Sequence, residues 1–322
     1  MKRSDILGHA FGTDFWSGRA DIFEHLQAKD RDRAHVVPAD YTNAIFRAVL
    51  TFDHLRANLK PGARILDMGC GLGANACYLA SFGFQVTAFD ASEKGIERGQ
   101  ELARRLGLDN NVTFVQGDET TIGSIDSRSL DAVIGMGFVY YLDEAGRDYT
   151  YRQARRVLRS GGILALTLSN ALFAAFSLNN TSLDFWANLI RARAPEITDA
   201  RDRLAAHITV PEREPAPGSI SARYGIHADN PLEYASVAKR YGLSLERILY
   251  PDSHLLPPFL EAQMEPAKLA RMKAETCLQT ADDWRGVFMD YEFLAFIRRE
   301  FSIGEASVVT HDEPWLDPNQ AR

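Results

Sequence analysis

Cysteine is scarce: Cys70, Cys77 and Cys277 are the only three in 322 residues. An odd number with no C-x-x-C pairing excludes a disulfide framework and a zinc site, and no metal is expected. Long apolar runs are missing too. No segment approaches the roughly 20 consecutive apolar residues a membrane span needs, so none is expected to cross a bilayer. The opening "MKRSDILGHAFGTDFW" is basic but lacks an apolar h-region and a small-residue cleavage site, so export is not expected. A basic stripe is also absent. The formal net charge is -7, and the pairs Arg104-Arg105, Arg155-Arg156 and Arg298-Arg299 are scattered among acidic residues, unlike the footprint of a nucleic-acid binder. There is no internal repeat and no low-complexity run. These absences point to a cytoplasmic protein, with no nucleic acid and no membrane expected as partners. Oligomeric state, a homodimer included, leaves no pattern to read.

What is present is an ordinary globular composition, 46% hydrophobic and 25% charged, in a chain long enough for a large core with additions. Residues 1–60 read as a helical cap, with Ile22, Leu26, Ile45, Leu50 and Leu55 at mixed helical spacing before "LKPG". The pattern then becomes βαβα. "ARILDMG" is a buried strand, "GANACYLASFG" a helix stopped by Gly83, and "FQVTAFDAS" a strand. "SEKGIERGQELARRLG" is a helix with Ser92 as N-cap and Gly107 as its stop. "NVTFVQGD" and "LDAVIGMGF" read as strands, "EAGRDYTYRQARRVLRSGG" as a helix and stop, and "ILALTLSN" as a fifth strand. That alternation implies a parallel sheet with helices on both faces. A helical insertion, 171–235, with a Pro-rich loop "VPEREPAPGS", interrupts it. Residues 236–300 resume the sheet with "LSLERILYP" and "DYEFLAFIRRE" around a largely helical stretch, and 301–322 read as a tail.

Three glycines at alternate positions, Gly69, Gly71 and Gly73, stand where the first strand turns into a helix. A parallel sheet offers backbone N–H groups to a ligand there, and a Cβ would hold the ligand off. With Ala74 the loop also satisfies the dinucleotide pattern G-x-G-x-x-G/A, and Asp90 lies where a ribose diol would be bound. Two ligands therefore compete, NAD and S-adenosylmethionine. Asp67, two positions before the first glycine, discriminates between them. A carboxylate there repels a pyrophosphate and attracts an ammonium and a sulfonium. Asp118 and Glu119 in "VQGDET" could accept a hydrogen bond from an adenine amino group.

The sequence resembles the class I S-adenosylmethionine-dependent methyltransferases, closely over 61–170 through "ILDMGCGLG", "VTAFDAS", "VQGD", "LDAVIGMGFVYYLD" and "ARRVLRSGGILAL", and more loosely over 241–300. The resemblance implies an S-adenosylmethionine-binding core at 61–170. The fold it implies is α/β, a doubly wound Rossmann-like seven-stranded mostly parallel sheet with an antiparallel final strand. It places the methionine moiety at Asp67, Gly69, Gly71 and Gly73, the ribose at Asp90, and the adenine at Asp118 with Glu119. An NAD-dependent oxidoreductase and a non-catalytic cofactor-binding protein are the alternatives.

The acceptor side is less marked. Methyl transfer is an in-line displacement that positioning alone can accelerate, with a base needed only when the nucleophile arrives protonated. After the fourth strand the chain has "MGFVYYLD", neither the Asn/Asp-Pro-Pro-aromatic motif that enzymes acting on nucleobase amino groups or glutamine amides resemble one another in, nor a Pro-Cys nucleophile. The expected acceptor is an O or N nucleophile of a small molecule, such as a sugar hydroxyl, an amine or a biosynthetic intermediate. Beyond the carboxyl ends of the strands lie Tyr140 and Tyr141, Asn170, and Asp252 with His254. His254 is the preferred base because imidazole takes a proton near neutral pH. His227 is better read as a surface histidine. Phe173, Phe176, Phe185 and Trp186 read as an apolar lid or a private core, and Phe11, Phe15, Trp16 and Tyr41 as a cover from the N-terminal side.

Overall fold

The computed structural model describes residues 42–178, 180–207, 227–251, 254–265, 268–269, 272 and 282–300. Phe11, Phe15, Trp16, Tyr41, the Pro-rich loop, Asp252, Cys277 and the tail lie outside the described residues.

Helix α1 (Thr42–Asn58) buries Ala48, Phe52 and Leu55, the spacing of one helical face, against the sheet. Strand β1 (Arg64–Met68) follows, then helix α2 (Ala74–Ala80), β2 (Gln85–Asp90), helix α3 (Glu93–Arg105) and β3 (Val112–Gln116). Ser92 caps α3 as expected, its side chain accepting from the Gly95 N–H at 3.1 Å. Past its end Gly107 takes φ 66°, the left-handed conformation that closes a helix. Strand β4 (Leu130–Gly135), helix α4 (Glu144–Val157) and β5 (Leu158–Asn170) complete the first half.

Strand β5 starts earlier than the sequence suggests. "RSGG" was expected to stop a helix; instead Leu158 already pairs with Leu130, and the register shifts between Leu130 and Ala132. Gly161 (φ 72°) takes up that irregularity, as a bulge requires.

Helices α5 (Phe173–Ser177), α6 (Asn180–Arg193) and α7 (Ala200–His207) occupy the insertion. A two-residue strand β6 (Ala228–Asp229) then pairs in parallel with the end of β5, so the described residues form a sheet of eight strands where seven are expected. Helix α8 (Tyr234–Arg240), β7 (Leu243–Leu249), the short helices α9 (Pro258–Glu261) and α10 (Gly286–Met289), and β8 (Glu292–Arg299) finish the fold.

The strand order is β3-β2-β1-β4-β5-β8-β7, and β8 is antiparallel to both of its neighbours. On β1, Ile65 joins the cluster under α1 and α2, while Leu66 and Met68 join the one under α4 and α8. This period of two on a strand buried on both faces explains why it reads as a continuous apolar run. The order reverses between β1 and β4, and ligands of open α/β sheets bind beyond the carboxyl ends of the strands at such a reversal. Among the described residues no helix is long and apolar enough to cross a membrane.

Candidate cofactor and acceptor site

The glycine loop sits at that reversal. Gly69, Gly71 and Gly73 all have positive φ, 68°, 55° and 75°. The N–H groups of Gly69 and Cys70 both donate to the Phe89 carbonyl at 2.9 Å, which ties the loop to the end of β2. The reason for glycine differs along the loop. A Cβ on Gly69 would lie 2.6 Å from Phe138, and one on Gly73 2.5 Å from Phe114; on Gly71 it would meet nothing within 4 Å. Only Gly71 opens to space a ligand could enter. The other two are glycine because aromatic side chains of the protein press against them.

Two carboxylates face this loop. Asp67, at the end of β1, is 1% exposed, and its Oδ2 has no hydrogen-bond partner. Burial, and then the charge of Asp90, pushes its carboxyl up to about 7. Asp90 accepts from the Gly71 N–H through Oδ2 at 2.8 Å and from the Ser92 N–H through Oδ1 at 2.9 Å. Burial raises its pKa as well, against the opposing effect of those two bonds. Each Asp90 oxygen accepts one bond and keeps capacity for another, as a ribose diol would use. An unpaired buried carboxylate is costly until a cation arrives, so the residues present fit a ligand bearing an ammonium and a sulfonium. Asp118 instead caps a 3-10 turn (Glu119–Ser124), its Oδ1 accepting from Thr120 N at 2.9 Å and from Thr120 Oγ1 at 2.6 Å. Glu119 lies half-buried on that turn, with Oε1 3.1 Å from where a Cβ on Gly146 would stand.

On the acceptor side, Tyr140 is buried and donates its hydroxyl to Glu292 Oε1 at 3.0 Å. Arg47 Nη1 reaches the same carboxylate at 3.1 and 2.8 Å. Burial, then Glu292, holds the Tyr140 phenol well above its usual value, so at neutral pH it is a hydrogen-bond donor and not a base. Tyr141 packs edge-on against Tyr140, ring centroids 4.5 Å apart. His254 follows β7, with its backbone N–H donating to the Met289 carbonyl at 2.7 Å. Its Nδ1 is 2.7 Å from Glu261 Oε2, Phe173 stacks on the ring at 5.0 Å, and Tyr291 stands 6.2 Å away. Asn170 is no base: its Nδ2 donates to the carbonyls of Val287 and Asp290 at 2.8 and 2.7 Å, and its Oδ1 accepts from Leu172 N at 3.0 Å. The first two bonds fasten the end of β5 to the segment before β8, and the third closes a local turn at Leu172. His227 is half-exposed, 3.6 Å from Asp229. Of the proposed lid aromatics, Phe173 reaches His254, while Phe185 and Trp186 pair with each other and Trp186 is 42% exposed.

Arg47, Glu292, Glu261 and Tyr291 are absent from the sequence-based candidates. The lone Glu at the head of the apolar run "EFLAFI" was the one available signal for Glu292; its arginine partner lies 245 residues away. The buried pair Arg147–Asp229, 2.8 Å, was equally illegible.

The doubly wound sheet, with its antiparallel last strand, thus sets a glycine loop at the order reversal with the Asp67 carboxylate beside it. Residues 65–162 match the family model described as "Methyltransferase domain". The chain is 32% identical over 156 residues to a sterol 24-C-methyltransferase of Gibberella zeae, covering 47% of this chain and 40% of that one. It is 37% identical over 109 residues to 27-O-demethylrifamycin SV methyltransferase of Amycolatopsis mediterranei, 34% of this chain and 39% of that one. To sarcosine/dimethylglycine N-methyltransferase of Halorhodospira halochloris it is 33% identical over 122 residues, 38% of this chain and 43% of that one. The matches thus span about two fifths of each relative's length. Over residues 65–162 the chain is thus similar to methyltransferase domains.

Proposed function

We propose that the protein transfers a methyl group to an O or N nucleophile of a small molecule, with His254 taking the acceptor's proton. The observation that carries this reading is the imidazole of His254 beyond the carboxyl end of β7, half-buried between Phe173 and Tyr291. S-adenosylmethionine supplies an electrophilic methyl on a sulfonium; the rest is done by side chains of this chain. Asp67 attracts the cationic donor, Gly71 gives the backbone access, and Asp90 accepts from the ribose. Asp118 and Glu119 are the proposed adenine contacts, with Asp118 offering the oxygen not bound to Thr120. Phe173 and Tyr291 displace water beside His254, and Tyr140 and Tyr141 form the wall after β4.

The core does not select among acceptors, because the relatives it matches are named for transfer to carbon, oxygen and nitrogen. The choice of O or N rests on His254. The test is release of S-adenosylhomocysteine from S-adenosylmethionine during incubation with fractions of a metabolite extract. Wild type should turn over with at least one fraction, and His254→Ala should bind cofactor normally while turning over at least a hundredfold more slowly, the usual weight of a general base. Equal turnover by His254→Ala removes the base. Cofactor binding without transfer to any fraction favours a non-catalytic binding protein.

A further inference from the structure

We propose that Glu261 is a positioning residue that locks His254 in the tautomer whose Nε2 is free to take a proton. This rests on the methyltransferase reading above and narrows its acceptors to groups that arrive protonated.

Glu261 closes the short helix α9, which begins at Pro258, and is 5% exposed. Its two oxygens are used differently. Oε1 accepts from the backbone N–H of Leu255 at 2.7 Å and of Leu256 at 3.3 Å. Oε2 is 2.7 Å from His254 Nδ1. As a carboxylate Glu261 can only accept, so Nδ1 then carries the proton and donates it. The neutral ring then has its lone pair on Nε2, which has no hydrogen-bond partner among the described residues. A second partner fixing one ring nitrogen is what assigns the other its role.

The consequence is chemical. The acceptor's oxygen or nitrogen lone pair forms the new bond to the methyl carbon. The carbon–sulfur bond breaks with its electron pair passing to sulfur, which becomes a neutral thioether. The acceptor's proton passes to His254 Nε2, and the resulting imidazolium is held by the Glu261 carboxylate at Nδ1. A hydroxyl, or an amine or ring nitrogen bearing hydrogen, needs this device. A carboxylate or a tertiary amine has no proton to give up and does not.

Glu261→Gln tests it. The amide keeps an oxygen for the Leu255 and Leu256 N–H groups and turns its NH2 toward Nδ1. That nitrogen must then accept, which moves the ring proton to Nε2. Proton–nitrogen correlation spectra of histidine-labelled protein should show His254, assigned by its loss in His254→Gln, as the Nδ1–H tautomer in wild type and the Nε2–H tautomer in Glu261→Gln. Diethyl pyrocarbonate should modify His254 at least tenfold more slowly in Glu261→Gln. S-adenosylhomocysteine affinity should stay within twofold, and kcat should fall with KM little changed. Glu261→Asp, which restores a carboxylate, should recover the wild-type tautomer. An Nε2–H tautomer in wild type, or an unchanged tautomer and reactivity in Glu261→Gln, overturns the proposal. Wild-type turnover by His254→Gln also overturns it. Failure of wild type to bind S-adenosylhomocysteine strikes the methyltransferase reading instead and leaves the tautomer result standing.

Discussion

If Asp67 meets the cofactor's positive charge as proposed, its titration ties cofactor binding to pH. Its carboxyl titrates near 7 in the ligand-free protein because it is buried and faces Asp90. A bound ammonium or sulfonium favours the ionised form and returns the group toward the ordinary carboxylate range. Only ionised Asp67 offers that attraction. From pH 7.5 to 5.5 the ionised fraction falls from about three quarters to about 3%, so affinity for S-adenosylhomocysteine should weaken roughly 25-fold. At pH 7 binding should release about half a proton, visible by calorimetry in buffers of different ionisation enthalpy. Asp67→Asn should bind weakly and lose most of this pH dependence; what remains belongs to Asp90, whose pKa is also raised. Stability runs the opposite way. The folded value lies above the reference of 3.8, so Asp67 contributes stability that is complete below the unfolded value and is lost as pH rises through about 7. A shift of this size corresponds to roughly 4 kcal/mol. Ligand-free Asp67→Asn should therefore melt higher than wild type at pH 8. Wild-type affinity that is flat between pH 5.5 and 7.5 would refute the reasoning.

Gly71→Ala should leave the fold intact, at about 1–2 kcal/mol for the left-handed conformation, yet weaken cofactor affinity, because its Cβ projects into open space. Gly73→Ala should instead lower the melting temperature sharply through the clash with Phe114, and calorimetry with thermal melts separates the two. Asp90→Ala should weaken S-adenosylhomocysteine binding by about 1–3 kcal/mol; unchanged affinity means the ribose contact is misassigned. Glu292→Ala strands the Arg47 guanidinium beside Tyr140 and should cost about 3–5 kcal/mol in denaturant titration, while Tyr140→Phe should keep turnover within a few-fold.

The proposed cofactor half is legible in the sequence because it is local. Asp67, the glycine loop and Asp90 lie at the ends of two adjacent strands and in the turn after the first, and strand alternation with Ser92 and Gly107 as punctuation marks the elements around them. What the pattern did not carry was the reason for each glycine, since Phe138 and Phe114 reach Gly69 and Gly73 from distant parts of the chain. The residues around the proposed acceptor half come from across the fold. Arg47 comes from α1, Tyr140 from the turn after β4 and Glu292 from β8, and no periodicity relates them. Asn170 and Asp118 show the converse, since residues of the right type at strand ends put oxygens to work satisfying neighbouring backbone. The extra strand β6 is two residues long, too short to stand out as an apolar run.

The central claim is that the unpaired Asp67 carboxylate makes this loop a seat for a cationic methyl donor and not for a pyrophosphate. Parallel calorimetric titrations of the full chain with S-adenosylhomocysteine and with NADH at pH 7.5 test it most directly. The account predicts saturable binding of the first and none of the second; saturable NADH binding with no response to S-adenosylhomocysteine contradicts it.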